Sequence, residues 1–370
     1  MAVALTRNVR NGSKGVCALL LIRLAGCGIA PVPVTSGEPN DTFDDATAIL
    51  LDAAGSAKVR GTVDVYMDLD VYLLGALSAG DRIIVDADTT DSELDVSVAI
   101  FDGEQRVVMN SDDRGGSPDR YLDSYIDWIV RHSSDNYYLV VTHSAFAGSG
   151  QYTGSYTIDV EASGGSEVPP PTAQLLVLDF DGGTVNSSGL ETVTVVPFDA
   201  GAIDQVYRGQ TEGMKEAIRD TVAQNFERFD VTVQTSDDPA PPSNVLFSTV
   251  FFGGFDRNAF GQAESVDNYN EDYCDDAIIY TESFGLSVFT FTPTVSEMGI
   301  AIGNVAAHEA GHLLGLNHVD DDRALMDDQS AADVFITDQE FMEAPLSDDI
   351  MPIGTHDAVL LLTETVGYIE

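Results

Sequence analysis

The chain has 370 residues, and 61 acidic against 17 basic residues give it a formal net charge of −44. A chain of this length can bury two ordinary cores, so we expect more than one domain. So strong a negative charge repels nucleic acid and anionic lipid, which argues against both as partners.

The first 27 residues have the pattern of an export signal. Arg7, Arg10 and Lys14 form a positive start, and residues 16–22 are apolar. The sequence Leu-Ala-Gly-Cys that ends at Cys27 resembles the lipobox of bacterial lipoproteins, which implies lipidation of this cysteine. We therefore predict an extracytoplasmic protein, secreted or held at a bacterial cell envelope, with membrane contact only through the lipid.

Residues 28–36 would form a short linker, and residues 37–162 a first domain. In that domain short alternating runs are separated by turns rich in Gly, Asp, Asn and Ser. This pattern predicts an all-β sandwich of jelly-roll type. The predicted strands are residues 58–65, 71–77, 82–88, 94–101, 106–110, 124–130, 137–142 and 154–161.

Several short motifs in this domain carry a resemblance. They include GEPNDTF at its start, DLDVY near residue 70, and NSDD after residue 109. These runs are similar to the bacterial pre-peptidase C-terminal domain, which accompanies secreted peptidases, more often on their C-terminal side. The N-terminal placement of the module departs from that pattern and would suit a spacer, docking or latency role.

Five side chains of this domain are candidate calcium ligands, because they carry the hard oxygen atoms that calcium selects. They are Glu38, Asn40, Asp41, Asp68 and Asp70. Related collagen-binding modules use a similar Glu-x-Asn-Asp segment for calcium. A solvated acidic loop is the alternative, and the sequence leaves it open.

Residues 163–173 combine Gly and Ser with three consecutive prolines, which is typical of a linker. Residues 174–370 then predict an α+β domain with a mixed, twisted sheet. Its expected strands are residues 175–181, 231–235, 245–252, 261–266 and 277–281, and its expected helices are residues 210–229, 298–314 and 356–366. His356 would be a polar residue at the start of the last helix.

The sequence HEAGHLLGLNH, which begins at His308, has the spacing of a metal site. On a helix, His308 and His312 lie on one face and can bind the same ion. Glu309 is rotated from His308 by about 100°, which suits a general base that activates zinc-bound water. Gly315 permits the turn that would bring His318 to the ion as a third ligand.

This motif resembles the zinc signature of the metzincin metalloproteases, which pair it with a Met-turn. Met326, in Ala-Leu-Met-Asp, matches that turn, and the neighbouring residues are most similar to the matrixin branch. Two positions depart from the family. Val319 replaces the serine that usually follows the third histidine in matrixins, and Asp328 replaces a tyrosine ligand that some metzincins have. The resemblance implies a zinc-dependent endopeptidase that cleaves proteins or peptides, with residues 260–266 as an edge strand that binds substrate.

Two alternatives stay open. One is a catalytically silent binding or adhesion protein at the cell surface, although the intact histidines and glutamate speak against it. The other is a zinc hydrolase of non-peptide amides, because the motif indicates the type of chemistry and not the substrate.

Cys274 is the one cysteine that follows the export signal and Cys27, so we expect no internal disulfide. We also expect the protein to be a monomer.

Overall fold

The structure is a computed structural model that describes residues 33–35, 37–114, 122–185, 193–328 and 331–369. The predicted export signal and Cys27 lie outside the described residues. Within the described ranges, no helix is both long enough and apolar enough to cross a membrane.

The N-terminal part is a sandwich of two five-stranded sheets, with the orders β1-β3-β10-β5-β8 and β2-β4-β9-β6-β7. Its strands are β1 Val34–Thr35, β2 Thr47–Ala48, β3 Ser56–Val63, β4 Asp70–Leu77, β5 Arg82–Asp88, β6 Val96–Phe101, β7 Val107–Ser111, β8 Tyr125–Ile129, β9 Ser134–His143 and β10 Gly154–Ser163. Alternate side chains of both sheets, among them Val59, Val85 and Val98, are fully buried in one core. The predicted sandwich is confirmed, with strand ends shifted by a few residues.

The C-terminal part is built on a sheet of order β14-β11-β15-β17-β16, in which β16 alone runs antiparallel to its neighbour. The strands of this part are β11 Gln174–Asp179, β12 Gly183–Val185, β13 Val193–Val195, β14 Val231–Thr235, β15 Ser248–Phe252, β16 Gly261–Ala263, β17 Asp276–Ile279, β18 Glu343–Pro345 and β19 Thr355–Asp357. The helices are α1 Ala200–Ile203, α2 Thr211–Asn225, α3 Val295–Leu313 and α4 Ala358–Thr365. The predicted order of a β-sandwich followed by an α+β domain with a mixed sheet is confirmed.

Helix α3 is placed by close packing against α2. A Cβ atom on Gly299 would lie 2.4 Å from Cβ of Ala217, and one on Gly303 would lie 2.6 Å from Cβ of Thr221. Real Cβ atoms do not approach so closely, so glycine at these two positions lets the helices meet at short distance. The other side of α3 contacts β16 and β17, which brings its C-terminal half beside the edge of the sheet.

The prediction for His356 is wrong. This residue lies in β19, is fully buried, and accepts a hydrogen bond from the backbone amide of Asn317 (3.3 Å). Asp357 caps α4 instead, by accepting from the amide of Leu360. The sequence pattern missed the β18–β19 ribbon because each strand has three residues, too few for a period to show.

Candidate metal centre

Helix α3 brings the first two histidines of the motif together in its last two turns. Their Nε2 atoms are 3.1 Å apart, as expected for residues spaced by four on one helical face. His312 and the intervening Glu309 are each 7% exposed. The site therefore lies largely within the protein, where few water molecules compete for its polar atoms.

The helix ends in a turn that brings in the third histidine. Gly315 has φ +94°, the amide of Gly315 donates to the carbonyl of His312, and the amide of Leu316 donates to the carbonyl of Gly311. This pair of bonds is a Schellman motif, which reverses the chain after a helix. As a result Nε2 of His318 lies 3.0 Å from Nε2 of His312.

Each of the three imidazoles is held through its other nitrogen. The Nδ1 atoms of His308 and His312 donate to the carbonyls of Leu325 and Leu316, both at 2.8 Å, and Nδ1 of His318 lies 2.9 Å from Oδ2 of Asp349. Because Nδ1 carries the proton in the rings held by carbonyls, their Nε2 atoms present bare lone pairs.

The lone pairs of His308 and His312 face one another at 3.1 Å and repel unless a cation lies between them. Three converging imidazole nitrogens, with the opposite ring nitrogens held by oxygen atoms, are the donor set that zinc accepts. The residues present therefore fit a zinc ion. Nε2 of these histidines would hold it.

Burial controls the charge of these groups. It lowers the pKa of His308 to about 3 and the pKa of His312 well below its usual range, so both rings are neutral, as metal binding requires. Burial acts in the same direction on His318, but the hydrogen bond to Asp349 outweighs it and the pKa of this ring is raised. Burial raises the pKa of Glu309 to about 7.

The carboxylate of Glu309 lies against the edge strand of the sheet. The backbone amide of Ala263 donates to it, and a Cβ atom on Gly261 would lie 2.6 Å from its Oε1. A larger residue at position 261 would thus collide with the carboxylate. The motif glutamate and β16, part of the predicted substrate strand at residues 260–266, are brought side by side.

Met326 is 1% exposed and packs against α3. Its sulfur would be 2.7 Å from a Cβ atom on Gly311, so the helix is close to the turn only because that position is glycine. Two backbone carbonyls of this turn form hydrogen bonds as well. The carbonyl of Leu325 accepts from His308, and the carbonyl of Met326 accepts from the amide of Val319.

Sequence reasoning missed Asp349, which contacts the third histidine. It lies within an acidic stretch with no fixed spacing to the motif, so no pattern distinguished it. Asp328, where some metzincins have a tyrosine, accepts from the Ser347 hydroxyl (3.0 Å). Carboxylate oxygens of Asp328 and Asp349 and a ring nitrogen of His318 all lie within 4.8 Å of one another.

The candidate calcium ligands are only partly brought together. Carboxylate oxygens of Glu38, Asp41 and Asp68 lie within 4.8 Å of one another, and partial burial and then the neighbouring aspartates raise the pKa of Glu38. Asn40 is fully buried and donates to Asp70 (2.8 Å), which also accepts from the Tyr156 hydroxyl.

Cys274 is exposed, and its thiol is free. Residues 209–348 match the family model described as Matrixin. The segment that carries the three histidines is therefore similar to matrixins. At the level of the family, the match indicates a zinc metallopeptidase.

A comparison with curated proteins gives no match. Among solved structures, archaemetzincin from Methanopyrus kandleri is 12% identical over 52% of this chain and 95% of its own, with a TM-score of 0.28. The pre-peptidase C-terminal domain of a Bacillus anthracis collagenase is 11% identical over 36% and 100%, with a TM-score of 0.23. PliG of Aeromonas hydrophila, a periplasmic inhibitor of g-type lysozyme, is 12% identical over 36% and 100%, with a TM-score of 0.25.

Proposed function

We propose that this protein is an extracytoplasmic zinc endopeptidase in which Glu309 is the general base. The observation that carries the proposal is the convergence of three Nε2 atoms, at 3.0–3.1 Å for the two pairs that involve His312, beside a buried carboxylate. A family of zinc metallopeptidases matches the same segment. We further propose that residues 37–162 and 174–370 are the two functional parts, joined by residues 163–173.

Each residue of the site has a separate role. His308, His312 and His318 hold the zinc ion through Nε2, and Met326 packs beneath them. When bound there, zinc would supply a Lewis acid that acidifies water and polarises a carbonyl group. Glu309 takes a proton from the attacking water on its carboxylate and passes it to the leaving amine.

The substrate is proposed to be an extended polypeptide chain that pairs with β16. This strand is the outermost one of its sheet and contacts the general base. Strand addition uses backbone hydrogen bonds, so a site of this kind would bind many sequences.

We also propose that the protein is exported by its first 27 residues. It would be a monomer that is anchored through a lipid on Cys27. Negative charge on the surface disfavours nucleic acid as a ligand.

Glu309→Ala tests the proposed activity. We expect the variant to retain one zinc ion per chain, measured by metal analysis, because the glutamate is not a ligand. Cleavage of a mixed peptide library should fall by about 10²- to 10⁴-fold, the range for loss of a general acid–base group. Glu340→Ala, which removes an exposed carboxylate near the Met-turn, serves as the control and should cleave like the wild type.

The outcomes separate the alternatives. Zinc binding without cleavage of any peptide by the wild type would favour a silent binding protein or a hydrolase of non-peptide amides. Wild-type activity in Glu309→Ala would contradict the assigned base.

Calcium binding to the sandwich is a separate proposal, supported by the grouping of Glu38, Asp41 and Asp68. Calorimetric titration of the protein with calcium should show binding that Asp68→Asn weakens. The absence of heat in the wild type would leave only an acidic loop.

A further inference from the structure

The turn that carries His318 is held by the N-terminal sandwich. Asn317, which precedes the histidine, is 2% exposed, and its Nδ2 donates to Oδ1 of Asn110 in β7 (3.1 Å). The two residues are 207 positions apart in the chain. The sandwich therefore contacts the residue next to a proposed zinc ligand.

A second connection runs through the segment that supports Gly315. The hydroxyl of Tyr269 donates to the carbonyl of Val108 (2.9 Å), and Nδ2 of Asn268 donates to the carbonyl of Asn110 (3.1 Å). Gly315 packs on the backbone of this segment so tightly that a Cβ atom would lie 2.7 Å from the amide nitrogen of Tyr269. Strand β7 thus holds the segment on which the turn at Gly315 packs.

A third connection is the loop at residues 346–353, which carries Asp349. The amide of Ser347 in this loop donates to the carbonyl of His318 (3.1 Å). Leu346 and Met351 are buried in a separate apolar cluster whose other buried members all come from the sandwich: Phe43, Leu69, Val71, Ala99, Phe101, Val107 and Val140. The loop that orients the third imidazole is therefore packed on the sandwich.

By contrast, the first two ligands are held within the C-terminal part, by α3 and by the carbonyls of Leu325 and Leu316. We propose that the sandwich is a structural component of the zinc site, and that Asn110 is a positioning residue that holds the Asn317–His318 turn in its zinc-binding position. This inference rests on the proposed zinc site. Groups that orient a metal ligand raise metal affinity because they hold the imidazole in the bound geometry before the ion arrives.

The test measures zinc affinity of the full chain by competition with a chelator. Asn110→Ala and Asn317→Ala should each weaken zinc binding about fivefold, what one neutral hydrogen bond is worth. Because both variants break the same bond, the double variant should be no weaker than the single ones. With a peptide that the wild type cleaves, the kcat of both variants should fall while their KM changes little, because the contacts with substrate are retained.

Two further variants guard against a general loss of stability. Asn136→Ala, which removes an asparagine side chain elsewhere in the sandwich, should leave zinc affinity unchanged. Tyr269→Phe, which removes only the hydroxyl bonded to Val108, should weaken zinc binding in the same direction as Asn110→Ala.

The proposal is overturned if Asn110→Ala binds zinc like the wild type, if it and Asn136→Ala weaken binding equally, or if the effects of Asn110→Ala and Asn317→Ala add. Failure of the wild type to bind zinc is a different result, since it would overturn the proposed function itself.

Discussion

The two halves of the candidate metal centre are built in different ways. His308, Glu309 and His312 come from one helix of 19 residues, whose N-terminus is closed by a capping box between Thr294 and Glu297. His318 comes from a turn that touches the segment around Tyr269, the loop around Asp349 and strand β7 of the sandwich.

The difference separates local from long-range determinants. The helix is supported by its own periodicity, its cap and its packing within the C-terminal part. The turn needs surfaces that reach it from distant parts of the chain. Changes to the turn should therefore affect the metal more than changes of similar size far along the helix.

Gly315→Ala should have the largest effect. At φ +94° an L side chain is strained, and its Cβ atom would lie 2.7 Å from the backbone nitrogen of Tyr269, which cannot move aside as a side chain can. We expect a loss of about 3 kcal/mol in the free energy of unfolding, measured with urea. Zinc binding should weaken as well.

Gly209→Ala is the matched control, because Gly209 also has positive φ (+78°) but open space around its Cβ position. It should lose only the conformational part, about 1 kcal/mol. Equal losses in the two variants would show that the contact with Tyr269 does not matter.

Asp349→Asn should come next. The carboxylate accepts from Nδ1 of His318, and an amide can offer that ring only a weaker, uncharged acceptor. Zinc affinity should fall about 10- to 100-fold, as for other partners of ligating histidines. Competition with a chelator measures this. Asp348→Asn, at the exposed neighbouring position, should bind zinc normally, and an equal loss there would indicate a general effect of charge.

How far the sequence could predict this site follows the same division. The spacing of His308 and His312 indicated a helix, and the glycine after them indicated its end, because both signals lie within one segment. Asp349 and Asn110 could not be found in this way: the first stands in an irregular acidic stretch, and the second is one polar residue at the end of a strand. Their roles depend on how two separate parts of the chain pack. His356 was misplaced because the last helix begins at Ala358, two residues later than the apolar pattern suggested.

A contact between the sandwich and α4, away from the metal centre, should affect the pH dependence of stability. His132 lies 2.8 Å from a carboxylate oxygen of Glu364 in α4 and 3.3 Å from one of Asp102. The hydrogen bond to Asp102, and then that to Glu364, raise the pKa of His132 to about 9. Burial alone would raise the pKa of Asp102, but the bonds from His132 and Arg106 outweigh it and lower it to about 2.

Because the pKa of His132 is higher in the folded state, the stability it contributes is complete below about pH 6.5 and is lost as the pH rises through 9. Between pH 6 and 9 the wild type should lose about 2 kcal/mol more than His132→Gln, after allowance for partial exposure. Urea unfolding across this range measures the difference. Glu364→Gln keeps the bond to Asp102 and should retain part of the slope. Parallel curves for wild type and His132→Gln would contradict the ion cluster.

The smallest effect is expected at the N-terminus of α3, far from the histidines. The Thr294 hydroxyl accepts from the amide of Glu297 (3.2 Å), and Thr294→Ala should lower the free energy of unfolding by about 1 kcal/mol, as for other N-caps. Ser296→Ala, at an exposed position in the same turn, is the control and should change stability little. Zinc affinity should stay within about twofold of the wild type in both variants, because frayed caps affect mainly the first turn. If Thr294→Ala weakens zinc binding as much as Asp349→Asn does, the helix ligands depend on distant support too, and the contrast between helix and turn fails.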